Sequence, residues 1–256
     1  MAMNAIVDPS GPNMAILPSN PAPEGMKAGY FTTTDKVRIR YATFPKTEGA
    51  AKGTICLVHG RTEYIEKYFE TIADFQKRGF SVATFDWRGQ GGSDRLIGNR
   101  MLGYVRSFED YWTDLRSFHA NILLPDCPSP FYLVSHSMGG LVSLIAGTRD
   151  RMMFDRIFLS APMVGLDRQP LSFAGMAALA DTLSLIGLGQ FPVGRAAEQP
   201  PSERGFASNV LTSDLGRYMR MVEVYRERPD LTIGKPTFRW AAAAMHAMAR
   251  AAGDEF

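Results

Sequence analysis

Histidine and cysteine are scarce in this chain: four and two residues, respectively, among 256. Two cysteines, Cys56 and Cys127, cannot form the disulfide framework of a small secreted scaffold. Neither stands at metal-ligand spacing, so no metal is expected and both read as free thiols of a reducing compartment. A basic run is also missing. Lys and Arg are scattered and the formal net charge is +2, which gives no ground for a nucleic-acid partner. Residues 1–25 contain no Lys or Arg, and prolines recur at positions 9, 12, 18, 21 and 23. Without a positive n-region or a continuous apolar h-region this is not a signal peptide. It reads as an extended arm over 1–28, disordered unless it docks on the domain. Long apolar runs are rare too. The least charged stretch, Leu171–Val193, has Asp181 near its centre, which would cost about 2.5–3.5 kcal/mol in a bilayer. Gly187, Gly189 and Pro192 interrupt it, and Met176, Leu179, Leu183 and Ile186 recur at helical spacing. It reads as a lid helix rather than a membrane span.

Apolar residues make up 45% of the chain and charged residues 21%, ordinary for a globular protein able to bury a sizeable core. Tyr30–Thr34 and Val37–Phe44, joined by Asp35-Lys36, form a hairpin. Thr54–Val58, Ser81–Phe85, the run from Phe131 and Arg156–Ser160 are short buried strands. Between them lie amphipathic helices. One carries Ile65, Tyr68, Phe69, Ile72 and Phe75 and stops at Gly79. Another carries Phe108, Tyr111, Trp112, Leu115, Phe118 and Ile122 and is broken by Pro125 and Pro128. Alternating strands and helices indicate an α/β domain with a mostly parallel sheet over 29–162. After Ala161-Pro162 the strand pattern stops, and 163–256 reads as a helical lid or cap region.

The chemistry concentrates in Phe131-Tyr-Leu-Val-Ser-His-Ser137-Met-Gly-Gly140. An apolar strand runs into a sharp turn and a helix, the G-x-S-x-G nucleophile elbow with Ser135 in place of its first glycine. A serine hydroxyl is a weak nucleophile unless it projects from a tight turn where a base can reach it. The next N–H, of Met138, opens a helix and is free to donate to an oxyanion. The alternative is a serine that simply begins a helix.

Four segments together resemble a known family. They are Leu57-Val-His-Gly-Arg-Thr-Glu-Tyr-Ile-Glu-Lys-Tyr68, Thr84-Phe-Asp-Trp-Arg-Gly-Gln-Gly-Gly-Ser-Asp-Arg95, Val134-Ser-His-Ser-Met-Gly-Gly140 and Leu159-Ser-Ala-Pro-Met163. From about Gly29 to about Ala252 the chain resembles the α/β-hydrolase fold, within it the monoacylglycerol lipase and bacterial lysophospholipase group. Asn209-Val-Leu-Thr-Ser-Asp214 looks closer to the bacterial members. The resemblance implies Ser137 as nucleophile, backbone N–H groups of Arg61 and Met138 as the oxyanion hole, and no cofactor. It implies a lipid ester as partner, a lysophospholipid or monoacylglycerol, with peripheral membrane contact through the lid of a cytoplasmic protein. Thr62 stands where many relatives have glycine.

The other candidates read as structural. His59 packs under the oxyanion loop. His136 follows Ser137 too closely to face its hydroxyl. His119 and His246 lie on helices, and Asp86 and Arg88 fix the loop after their strand. Asp86 precedes the serine, whereas the triad acid of this fold follows it. No strand ending in an acid, and no histidine other than His246, follows Ala161. The resemblance therefore implies that the last strands, with the triad acid and base, lie in a C-terminal part absent from this sequence. The competing expectation is a truncated, non-catalytic product that keeps the fold.

Overall fold

The computed structural model describes residues 11–165, 172–194, 205–209 and 211–253. Six strands form one sheet: β1 (Lys27–Thr32), β2 (Arg38–Phe44), β3 (Thr54–Val58), β4 (Ser81–Phe85), β5 (Phe131–His136) and β6 (Arg156–Ser160), in the order β1-β2-β4-β3-β5-β6. The β1–β2 hairpin and the β2–β4 pair are antiparallel, and β4, β3, β5 and β6 are parallel. The hairpin connection is longer than the two residues expected: β1 ends at Thr32 and β2 begins at Arg38. Thr33 N–H donates to the Val37 carbonyl, and the turn closes at Lys36, whose φ is 71° and whose N–H donates to the Thr33 carbonyl. This is the fold expected for an α/β-hydrolase: a mixed sheet flanked by helices.

Helices cover both faces. They are α1 (Phe69–Lys77), α2 (Phe108–Phe118), the short α3 (Leu124–Asp126), α4 (Met138–Arg149), α5 (Phe173–Leu183), α6 (Leu215–Glu227) and α7 (Phe238–Ala251). Successive strand residues point to opposite faces, and β3 shows the consequence. Cys56 and Val58 join a core with Phe85, Trp87, Tyr111, Leu133 and Met138, while Ile55 and Leu57 join another with Phe44, Ile72 and Val82. All five residues of β3 and of β4 are buried, in keeping with sequences that are largely apolar and do not alternate with charged residues.

Several expectations change on contact with the structure. Residues 11–25 of the arm dock: Ala15 and Asn20 are buried, and Ala15 N–H and Asn20 Nδ2 donate to Glu66 at 3.1 and 2.9 Å. Pro125 does not break its helix. A π turn over His119–Leu123, closed by Leu124 N–H on the His119 carbonyl, carries the chain into α3, where proline occupies the first turn and needs no N–H. The stretch expected as a lid helix is helical over Phe173–Leu183, continues in a turn to Leu188 and is kinked at Gly187, φ 88°. Leu171 and residues 1–10 lie outside the described residues, as does Val210 of the Asn209–Asp214 segment. The expected apolar stripe is only half right. Met176 packs on the core, but Leu179 and Ile186 face outward, and Ala177 and Ala180 carry the buried face. α5 packs on the alanine-rich α7, where small residues permit close approach. α7 also reaches α2 and α4, and Trp240, Ala244 and Met248 lie in the main core. Beyond β6 the described chain forms helices, loops and two isolated bridges.

Candidate active site

Register sets the site. β3 and β5 run parallel with Val58 opposite Ser135, so their C-terminal ends deliver His59-Gly60 beside His136-Ser137. Ser137 sits between β5 and α4 at φ 51°, ψ −115°. Such a conformation is costly for a residue with a Cβ and persists only where the surroundings enforce it. Here they do. Ser137 N–H donates to the Ser160 carbonyl at 3.0 Å, and its own carbonyl accepts from Met163 N–H at 3.0 Å and Leu141 N–H at 3.2 Å. Ser135 is accommodated in the position of the elbow's first glycine, and its hydroxyl donates to the Phe158 carbonyl at 3.2 Å. The two following glycines are required. A Cβ on Gly139 would stand 2.7 Å from the His59 carbonyl oxygen, and one on Gly140 would stand 2.8 Å from Pro162 Cα.

The loop after β3 closes over the elbow. A Cβ on Gly60 would lie 3.1 Å from Ser137 Cβ. Arg61 follows, its guanidinium bonded to the Gly234 carbonyl and 5.1 Å from the Trp240 ring centre. Thr62 adopts φ 66°, a left-handed geometry that glycine takes most easily. Its N–H donates to Gln90 Oε1 at 2.7 Å, and its carbonyl accepts from Tyr225 OH at 3.0 Å. Gln90 Nε2 points at Met138 Sδ, 3.6 Å away. One buried amide thus ties the Arg61-Thr62 loop to the residue after Ser137.

Glu63 organises the other side, and the sequence reading did not single it out. Its carboxylate accepts from Gly60 N–H at 2.6 Å and Tyr68 OH at 2.8 Å, and pairs with Lys67 at 2.5 Å and with His136 Nδ1 at 3.0 Å. Burial opposes its charge, but the His136 and Lys67 contacts outweigh burial and hold its pKa well below the usual carboxylate range. The available signal was an acid three residues after Gly60 in a segment otherwise rich in buried residues.

Beneath the loop lies a buried charge network. Asp86 accepts from Arg40 Nε at 2.6 Å, Gly92 N–H at 2.7 Å and Ile65 N–H at 3.0 Å, with His59 Nε2 3.2 Å away. Arg40 also forks onto both oxygens of Glu66 at 2.8 Å. Despite full burial, Arg40 and His59 keep the Asp86 carboxyl well below its ordinary value. His59 and Asp86 therefore fix the loops, in line with their structural reading. Arg88 bonds not to Asp86 but to Asp35 and Asp114, pinning its loop to the hairpin and α2.

All four histidines are described, and each is engaged away from Ser137. His59 sits on Asp86 and the Gly60 carbonyl, His136 on Glu63, and His119 packs against the Phe131 and Phe154 rings. His246 lies 2.6 Å from Asp181 on exposed faces of α7 and α5, with Arg239 on the same carboxylate. Among the described residues no cluster of His, Cys, Asp and Glu could hold a metal ion, and no helix is long and apolar enough to cross a membrane.

Comparisons with known proteins give the family and the fold. A family model described as serine aminopeptidase, S33, matches residues 49–255. Lysophospholipase L2 of Escherichia coli (strain K12) is 34% identical over 218 residues, which is 82% of this chain and 61% of that protein. The monoglyceride lipase of Rattus norvegicus is 30% identical over 125 residues, 48% of this chain and 39% of its own. The chain thus spans less than two thirds of the length of either relative. A thermostable carboxyl esterase from Bacillus coagulans shares the fold at a TM-score of 0.65 and 16% identity, covering 87% of this chain and 72% of its own. The chain belongs to the serine aminopeptidase S33 family of α/β-hydrolases, in the group that includes lysophospholipases and monoglyceride lipases.

Proposed function

We propose that this chain carries the nucleophile and oxyanion half of a serine hydrolase acting on carboxylic esters of lipids, a lysophospholipid or a monoacylglycerol. The observation that supports it most is the strained, triply bonded backbone of Ser137 at the head of α4. In this reading the Ser137 hydroxyl attacks the ester carbonyl. Met138 N–H, at the unsatisfied start of a helix, and Arg61 N–H stabilise the developing oxyanion. The alcohol departs, and water releases the fatty acid from the acyl-enzyme. The proton of Ser137 needs a base. Because each of the four histidines is engaged elsewhere, the proposal takes the base and its acid partner from outside these 256 residues. The exposed lid residues Leu179, Leu185 and Ile186 give the protein contact with the lipid surface.

The test is covalent labelling with a fluorophosphonate. The expected result is labelling at Ser137, abolished by Ser137→Ala, and faster by orders of magnitude in a chain extended by downstream coding sequence that supplies a histidine. Labelling of the 256-residue chain at the extended chain's rate, lost on His246→Ala, would place the base within this sequence. A second reading, a truncated, non-catalytic product that keeps the fold, is favoured by the same engagement of all four histidines. It predicts no labelling of the 256-residue chain and no downstream coding sequence that supplies a histidine.

A further inference from the structure

A cavity of about 280 Å³ lies between α1 and α6, away from Ser137 itself. It falls just below the usual range for sites that take drug-sized ligands. Most of its lining residues carry a polar or charged group, although apolar atoms make up the larger share of the wall. Leu211, Met221 and Val224 are the apolar residues. Its volume suits a small group and not a long acyl chain. Two cations from α6, Arg217 and Arg220, line it together with the acids Glu70 and Asp74 of α1. Arg217 forks onto both oxygens of Glu70 at 3.0 Å, and Arg220 reaches the same carboxylate at 3.0 Å. These groups are substantially solvent-exposed, and pairs of that kind hold each other weakly, so a competing anion can recruit both guanidiniums. Tyr64 belongs to the same wall. It is fully buried against Tyr225, and its hydroxyl has no hydrogen-bond partner. A buried donor without an acceptor is costly and calls for explanation. Burial, with Tyr225 and Glu66 nearby, raises its pKa, which keeps it a donor.

The cavity is one side chain from the site. Lys67 and Tyr68 line it and both bond Glu63, whose carboxylate also holds Gly60 N–H beside the elbow. We infer that the cavity binds a zwitterionic phosphodiester of the glycerophosphocholine or glycerophosphoethanolamine kind. Arg217, Arg220 and Tyr64 take the phosphate, and Glu70 and Asp74 face the ammonium. Guanidinium forks match phosphate oxygens, and one wall bearing both signs matches a ligand bearing both. Assigning this diester to the headgroup of a lipid ester cleaved at Ser137 rests on the proposed function, whereas the binding itself does not.

The experiment needs no turnover. Glycerophosphocholine is titrated into the 256-residue chain by calorimetry and ligand-observed NMR, beside inorganic phosphate, choline and glycerol. Expected is saturable binding with a Kd on the order of 1 mM or tighter, kept in Ser137→Ala. The double variant Arg217→Ala/Arg220→Ala should weaken it about tenfold or more. Tyr64→Phe should weaken it severalfold with the thermal midpoint unchanged or raised. No saturation, equal binding to the double variant, or phosphate alone binding as tightly as the diester would overturn the assignment. So would a lowered midpoint for Tyr64→Phe, which would give the hydroxyl a structural partner. Loss of fluorophosphonate labelling with diester binding intact would sink the hydrolase reading and leave the cavity's ligand standing.

Discussion

β4 and β6 are both five-residue strands, Ser81-Val-Ala-Thr-Phe85 and Arg156-Ile-Phe-Leu-Ser160, and from sequence alone both read as interior strands. In the folded chain every residue of β4 is buried and none of β6 is. β4 lies between β2 and β3 with helices on both faces. β6 pairs only with β5 among the described residues, leaving Ile157 40% and Phe158 63% exposed. The difference lies in neighbours, not in composition. Apolar character shows that a strand can be buried, and only its partners show that it is. The loops follow the same division. β3 and β4 run into the buried carboxylates Glu63 and Asp86, whereas β6 runs into Ala161 at φ 44° and a chain that bonds back to Ser137.

The largest effect that follows is on packing. Phe85 is fully buried and packs edge-on to Trp87 with ring centres 4.7 Å apart. Phe85→Ala should cost about 3–5 kcal/mol through lost transfer energy and an unfilled cavity. Phe158→Ala, at a residue already mostly in water, should cost within about 1 kcal/mol. Urea unfolding of the two variants measures both. Equal losses would show that β6 is covered in solution.

The contrast also marks what the sequence could reveal. The hairpin, the parallel strands and the elbow were legible because each depends on local chemistry: alternation, turn residues, and a serine between an apolar strand and a helix. The network under the site was not. Arg40 stands in mid-strand in Arg-Ile-Arg-Tyr-Ala-Thr-Phe, where a charge reads as the solvent side. Its partners Glu66 and Asp86 lie 26 and 46 residues away, a separation no local pattern carries. Glu63 was missed for a partly different reason: three of its four partners lie within five residues of it, and the fourth, His136, is 73 residues away. α7 was legible as a helix from its alanines, but its place in the main core depends on packing beside α2, α4 and α5.

A smaller effect, confined to the interior half of the sheet, should appear at acid pH. Glu63 and Asp86 titrate in the folded chain well below their ordinary values of 4.5 and 3.8, held by His136 and Lys67 and by Arg40 and His59 against the opposing effect of burial. A depressed folded-state pKa adds stability above the unfolded value and loses it as pH falls toward the folded one. Stability should therefore be flat on this account above about pH 5. It should fall below that by on the order of 1.4 kcal/mol per pH unit for each proton taken up. Glu63→Gln should remove one proton's share of that slope, while Phe158→Ala leaves the slope unchanged. Denaturant unfolding between pH 6 and pH 3 gives the slopes. An unaltered slope in Glu63→Gln would show that Glu63 is not ionised with its present partners.

The smallest effect on stability should accompany the clearest effect on association, and it comes from β6 itself. The side of β6 away from β5 presents strand N–H and C=O groups with no described strand beside them, next to the exposed rings and branches of Phe158 and Ile157. An unpaired edge of this kind is a template for another strand, and a lysine on it is the usual protection. The 256-residue chain should therefore self-associate as its concentration rises. Phe158→Lys should reduce that association while changing monomer stability by less than about 0.5 kcal/mol. A control separates edge pairing from general stickiness. Ile186, in the turn after α5, is about as exposed, at 67%, but has no strand edge beside it. Ile186→Lys removes a comparable apolar surface and should leave edge pairing intact. Sedimentation velocity over a concentration series compares all three. If both variants reduce association equally, apolar surface alone drives it. If neither does, β6 is protected in solution, and its resemblance to an interior strand reflects a partner that the described residues do not include.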